Sequence, residues 1–384
     1  GDRLMRICAV TGSRADWGLL KPVLMRLRAS TASMQLVVTG SHLDTRFGHT
    51  VDDIRADGFT PDRQVTLDLE GDDPCAVAKA MGRAVGGIAE ALHSLQPDIL
   101  LVLGDRYEIF AAAQAALLLR IPVAHIAGGD ITEGAFDDAI RHAISKLSHL
   151  HFTTNAEAGR RVLQLGEASS RVFISGSPGI DALIGTPRWD RQQLQRHIGF
   201  SLRRRNLAIT FHPVTLDDTE PEAQIAPLLA ALEAMDDTTG LIFTGANADN
   251  GGQRINRLLR DFAGTHDNAC FCVSLGQAGY YSLVEQADLV VGNSSSGLYE
   301  APSLHTPTLD IGTRQQGRLR GPSVLHAENE HIAIGRMIES ILRDPPQDFS
   351  NPYGDGVASR RIADVLLAID DPRQLLIKHF VEAN

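Results

Sequence analysis

Three loops of this chain set polar residues at spacings that can do chemistry. "GNSSSGLYEAPSL" (292–304) places Ser294, Ser295 and Ser296 ahead of a helical run. Hydroxyls and backbone N–H groups at such a step cradle a diphosphate. Glu300, one helical turn on from Ser296, can accept two hydroxyls of a ribose. A Ser cap with a capping-box Glu is the plainer explanation, but three consecutive serines exceed what a cap needs. "GTRQQGRLRGPSVLH" (312–326) gathers Arg314, Arg318 and Arg320 in a Gly-containing loop. Such a run is usually a solvated charged face; opposite the serine loop it reads better as a diphosphate clamp. "VTGSRADWG" puts Gly12, Ser13 and Arg14 between a strand and a helix, a weaker phosphate signal of the same kind.

Other residues suit proton transfer. "HIAGGDITEGAFDDAIRHAISKLSHLHF" (125–152) carries four His, four carboxylates and an Arg. A helix is expected from near Phe136, with Asp137 and Asp138 in its first turn, where carboxylates favour the helix dipole. Asp137 and Arg141 are four apart and share a face, as do Asp138 and His142. His149 and His151, at the far end of that helix, are assigned to surface or packing. The loop from His125 to Asp138 is the expected reaction segment. "LVLGDRYE" ends an apolar run with Asp105, which a helix cap would also explain. "ITFHP" ends another with His212, just before Pro213.

These residues need strands to deliver them. "RICAV", "QLVVTG", "DILLVLGD", "IPVAHIAGG" and "RVFISGSPG" alternate with helical stretches over residues 1–185. Unbroken apolar strands between helices indicate a parallel sheet covered on both faces. The segment 186–206 is polar and basic and reads as a crossover. Alternation restarts over 207–356 with "LAITFHP", "GLIFTGA", "NACFCVSLG", "ADLVVGNSSSG" and "TPTLDIG". The last helical stretch, in 357–384, is expected to pack back across the hinge. The fold class is therefore α/β, with two doubly wound Rossmann-like domains. Ligands of such sheets bind at the carboxyl ends of strands, so the two sets of ends are expected to line a central cleft. His42 in "TGSHL" and Leu275 in "SLGQ" also fall at strand ends.

Bulk properties narrow the partners. The 384 residues carry 36 basic and 47 acidic side chains, a net charge of −11. A chain this acidic is a poor general binder of nucleic acid or anionic membrane. It has no apolar stretch long enough for a membrane span, and its start reads as a strand, not a signal peptide. Cys8, Cys75, Cys270 and Cys272 lack the spacing of a zinc site and suit buried thiols in a reducing cytosol. A cytoplasmic protein without metal is expected.

Together, "TGSRADWGLLKPV", the 125–152 stretch, "RVFISGSPGID" and "GNSSSGLYEAPSLHTPTLDIGTRQQGR" resemble the hydrolysing UDP-N-acetylglucosamine 2-epimerases, in order and over nearly the whole chain. The resemblance implies the two-domain GT-B fold, a UDP-sugar substrate, no cofactor, and a homodimer or tetramer. It implies elimination of UDP to a 2-acetamidoglucal, then hydration to a free manno sugar of the kind used for sialic or legionaminic acid. Asp105, Asp137 and His212 match catalytic positions, and Arg141 is expected to orient Asp137. Arg14, His42, Leu275, Ser294, Ser295, Ser296, Glu300, Arg314 and Arg318 are expected on the UDP-sugar.

One departure stands out: Ala127 occupies a position where several relatives carry Glu, and Glu133 is expected to supply the missing carboxylate. UDP-N-acetylglucosamine is the first substrate expectation. The alternative is UDP-2,4-diacetamido-2,4,6-trideoxyglucose. A GT-B glycosyltransferase and a non-catalytic nucleotide-sugar sensor are the rival functions; the carboxylates of 130–141 argue against the first, and the presence of Asp105, Asp137 and His212 against the second.

Overall fold

The computed structural model describes residues 3–383, apart from 72, 131–135, 215–217, 247–249 and 274. Two compact units form: Gly1–Ala182 with Tyr353–Asn384, and Leu183–Pro352. The first holds a seven-stranded sheet of β1 (Arg6–Thr11), β2 (Ser33–Thr39), β3 (Arg63–Val65), β4 (Ile99–Leu103), β5 (Val123–Ile126), β6 (Leu150–Thr153) and β7 (Val172–Ile174). Its order is β3-β2-β1-β4-β5-β6-β7. The second holds β8 (Arg205–Thr210), β9 (Thr239–Thr244), β10 (Ala269–Cys272), β11 (Leu289–Gly292), β12 (Thr308–Ile311) and β13 (Val324–Ala327), in the order β10-β9-β8-β11-β12-β13. All neighbouring strands run parallel. These are the two doubly wound domains expected from the alternation.

Burial on both faces explains the unbroken apolar runs. Ile99, Leu101 and Leu103 of β4 pack with Trp17, Leu20 and Leu24 on one side. Leu100 and Val102 pack with Ala84, Ile88 and Ala112 on the other. In the second domain Leu207 and Ile209 meet Ile225 and Leu259, while Ala208 and Ile242 meet Leu283 and Val284. Strand order reverses between β1 and β4, and again between β8 and β11. At such a point successive connections diverge and leave a crevice at the carboxyl ends.

β3, β6 and β13 are strands beyond those expected from the alternation. β3 is a three-residue edge strand with two exposed polar residues. β6 hides behind the helix Phe136–Leu147, because Ile140, Ile144, Leu147 and Leu150 keep a helical spacing across the break. His149 and His151 therefore do not end a helix; both are buried at the sheet. The polar segment 186–206 contains a helix, Arg191–Ile198, with a capping box from Asp190 and Gln193 and with Leu194 buried. It belongs to the second unit. The last helix, Ala358–Leu367, lies in the first unit, where Ile362, Ala363 and Leu366 join the core around Trp17. The Asp181 carboxylate caps it, accepting from Ala358 N at 3.1 Å and Ser359 N at 2.8 Å.

The tail beyond that helix is tied down by a buried carboxylate. Glu167 accepts from Lys146 at 2.8 Å, His151 Nε2 at 2.7 Å and Lys378 at 2.7 Å. Arg171 donates to the carbonyls of Leu375 and Ile377. Burial alone would raise the Glu167 carboxyl, but these three donors overcome it and hold it at about 2. Its contribution to stability is thus present above the ordinary carboxyl range and is lost as pH falls toward 2. Lys378→Met should cost about 1–3 kcal/mol, seen as a lower thermal midpoint by circular dichroism. The gap from wild type should narrow as the pH of the melt is lowered toward 2.

Candidate functional site

In the first domain the expected residues lie at the carboxyl ends of β1, β4 and β5. Asp105 follows β4 across Gly104, whose φ of +90° only glycine adopts readily. Arg141, 7% exposed, reaches Asp105 Oδ2 at 2.5 Å, the Asp130 carbonyl at 2.7 Å and Asp138 at 3.4 Å. The guanidinium expected to orient Asp137 holds Asp105. A buried guanidinium must fill a fork of donors, and the strand-end loop supplies two acceptors that the helix face alone does not. Asp138 also meets His142 at 3.4 Å. The charge of Asp137 is felt by the buried Glu108. Glu133 falls outside the described residues.

Two histidines of the expected segments prove to be struts. His42 has no exposed surface; its ring lies between Thr11 Oγ1 at 3.0 Å and Thr50 Oγ1 at 2.8 Å. Burial lowers its pKa to about 4, so it stays neutral. His125 is likewise buried, with Nε2 2.8 Å from the Gly104 carbonyl and Nδ1 3.2 Å from Ser145 Oγ. Burial pushes it to about 3. His125 of the expected reaction segment is thus tied to the end of β4. Ala127 has a φ of +68°, a left-handed conformation that costs a non-glycine residue about 1–2 kcal/mol. Arg14 is exposed and sits 3.6 Å from Asp53.

The sequence reading passed over three charged neighbours of Asp105. Arg106 Nε lies 2.5 Å from Glu108 Oε1, and Glu108 is fully buried. Asp16 is raised to about 6, chiefly by burial. The signal was in "GDRYE" and "SRAD", each with more charge than a cap requires.

In the second domain His212, Leu275, Tyr280, Ser294 and Ser296 line a pocket of about 260 Å³. Asn293 organises it. Its side chain accepts from His212 N at 2.7 Å and donates to His212 O at 2.8 Å. Its carbonyl accepts from Arg314 at 3.1 Å and Gln315 at 3.0 Å. The His-bearing strand end, the serine loop and the arginine loop are thereby locked together. Ser296 Oγ meets Tyr280 Oη at 2.5 Å and Ser294 Oγ at 3.2 Å. Ser295 is exposed and makes no side-chain cap, so the plainer capping-box reading fails. Glu300 is pushed up to about 7 by burial, against the hydrogen bond of Tyr281, and its Oε2 is buried without a partner. Burial and the charge of Arg318 lower the Arg314 guanidinium, which an incoming anion would relieve. Arg318 is exposed. Arg320, also expected in the clamp, pairs with the buried Asp310 at 3.2 Å. Tyr280 and Asn293 were not singled out in the sequence, although Asn293 lies inside the serine motif.

The second domain can thus hold an anion and a pair of hydroxyls, and the first can move protons through carboxylates. The family profile described as UDP-N-acetylglucosamine 2-epimerase matches residues 25–367. The GDP/UDP-N,N'-diacetylbacillosamine 2-epimerase (hydrolyzing) of Campylobacter jejuni is 37% identical over 84% of each chain. The UDP-N,N'-diacetylbacillosamine 2-epimerase (hydrolyzing) of Legionella pneumophila is 34% identical over 98% of this chain and 99% of its own. In fold, the UDP-GlcNAc 2-epimerase of Neisseria meningitidis bound to UDP-GlcNAc matches with a TM-score of 0.78 at 20% identity, over 95% of this chain and 100% of that one.

The pocket depends on one glycine. A Cβ on Gly292 would lie 1.8 Å from the Thr210 carbonyl oxygen, and its φ is +140°. Gly292→Ala must part β8 from β11, so it should lower the melting midpoint and abolish binding of UDP in calorimetry. A variant that still binds UDP with wild-type affinity would show that the strand ends do not define the pocket.

Proposed function

The chain belongs to the UDP-N-acetylglucosamine 2-epimerase family, and on that premise we propose that it hydrolyses UDP-N,N'-diacetylbacillosamine to UDP and the free 2-epimeric sugar. The chemistry rests on one observation above others: Asp105, a carboxylate held by Arg141 at a strand's carboxyl end. The choice of substrate rests on the Campylobacter and Legionella relatives. It reverses the order expected from the motifs, which put UDP-N-acetylglucosamine first. That sugar nucleotide is the second reading, favoured by the family description.

The reaction needs a base for the C2 proton, a stabilised leaving group, and water at C1. Asp105 and Asp137 supply carboxylates for proton transfer. The Arg141 guanidinium holds and aims the Asp105 carboxylate. UDP leaves readily once donors neutralise the developing charge on its diphosphate. Ser294, Ser295, Ser296, Arg314 and Arg318 are suited to that, Glu300 to the ribose, and Leu275 to the uracil side of the pocket. His212, held through its backbone by Asn293, is placed for a proton near the diphosphate. Arg14 adds an exposed cation. The intermediate is a 2-acetamidoglucal, and hydration returns the C2 proton on the opposite face.

Each sugar nucleotide, incubated with enzyme in D2O and followed by NMR, tests this. Free manno-configured product with deuterium at C2, plus UDP, is expected, with kcat/KM at least about tenfold higher for the diacetamido sugar. A retained C2 proton, or no UDP, would refute the reaction. A preference for UDP-N-acetylglucosamine would refute only the substrate. Glu300 adds a pH signature. Ribose hydroxyls donate to its ionised form, so UDP affinity should rise from pH 6 to pH 8. Glu300→Gln should flatten that rise relative to wild type, removing Glu300's share from the ionisation of UDP itself.

A further inference from the structure

Asp16 is a first-domain carboxyl that the elimination leaves unused. Its backbone N–H donates to Ser13 Oγ at 3.2 Å at the start of the helix Arg14–Arg28. A capping role would end there. Its Oδ2, however, is buried and has no partner. Its Oδ1 lies 3.7 Å from the point where a side chain on Gly104 would begin. The carboxyl is therefore packed at the end of β4, next to the residue that precedes Asp105.

The charged groups facing it are Arg106, Glu108 and Asp105. The one cation among them is shared: Arg106 is bound to Glu108 at 2.5 Å, and Asp105 is itself held by Arg141 at 2.5 Å. Glu108 has no exposed surface, and its Oε2 also lacks a partner. It is wedged where side chains at Gly12 or Gly40 would collide with it. Asp16 thus has two carboxyl neighbours, one guanidinium that it shares with Glu108, and an oxygen shut away from water. Such a group keeps its proton into the range where an acid is useful.

We propose that Asp16 is a further catalytic residue, the acid that returns a proton to C2 of the 2-acetamidoglucal, with Glu108 behind it as a positioning residue. This rests on the epimerase reading. In the step, the Asp16 O–H bond breaks and the C1=C2 electron pair forms the new C2–H bond. Water oxygen adds to C1 and gives its surplus proton to the Asp16 carboxylate. No oxidant, metal or co-reactant is required.

Asp16→Asn preserves shape and the bond from its backbone to Ser13. It should bind UDP within about threefold of wild type, yet form manno product at least about 100-fold more slowly. UDP should still be released, with 2-acetamidoglucal accumulating in the proton NMR spectrum. Asp16→Glu should restore part of the rate. Glu108→Gln removes a negative neighbour, so the basic limb of the kcat profile should move to lower pH. An unchanged kcat in Asp16→Asn would overturn the role. So would loss of UDP release and hydration together with no glycal, which would mark Asp16 as structural. A wild-type enzyme that released no UDP from either sugar nucleotide would instead overturn the epimerase reading, and this role with it.

Discussion

The close approach of backbones at the two points where strand order reverses is the constraint on which the rest depends. In the second domain Gly292 crosses the end of β8 so tightly that a methyl group would sit on the Thr210 carbonyl oxygen. In the first, a Cβ on Gly12 would strike Glu108, and one on Gly40 would lie 2.5 Å from the Gly12 carbonyl oxygen. Only glycine permits these contacts. They bring loop backbone and its N–H groups to the crevice floor. They also fix where the next residues go: Asn293 and the serines in one domain, Ser13 and Arg14 in the other.

Each crevice is then furnished differently. Around Asn293 the second domain collects hydroxyls, a guanidinium and a carboxyl that burial keeps partly protonated. That set is the one proposed for a diphosphate and a ribose, in a chain of net charge −11. The first domain collects carboxyls, and its guanidiniums are engaged in holding them. The two inventories suit different kinds of chemistry. A leaving group needs fixed positive donors, and proton transfer at carbon needs carboxyls whose protonation is tuned by their surroundings.

Histidine shows how far burial governs these roles. His42, His125 and His149 all stand in the first domain, and burial lowers each well below the usual imidazole value. They stay neutral and serve as hydrogen-bonded struts between strand ends and helices. His149 Nδ1 accepts from Val123 N at 3.0 Å, and His151 is consumed by Glu167. A segment that looks rich in acid–base groups along the chain thus keeps few of them for chemistry.

The sequence by itself determined the layering, because strands buried on both faces must be apolar throughout and helices between them must cover both sides. It also determined the serine and arginine motifs and the placement of Asp105 and His212 at strand ends. Periodicity could not show where the helix after Phe136 stops, since Leu150 continues its apolar spacing into β6. Nor could spacing choose between Asp137 and Asp105 as the partner of Arg141. Residues four apart on a helix are always neighbours, whereas the reach to Asp105 exists only once β4 and β5 lie side by side. The same holds for Asp16, Arg106 and Glu108. Their charges mean little along the chain and acquire protonation states only when folding removes water and sets them against one another.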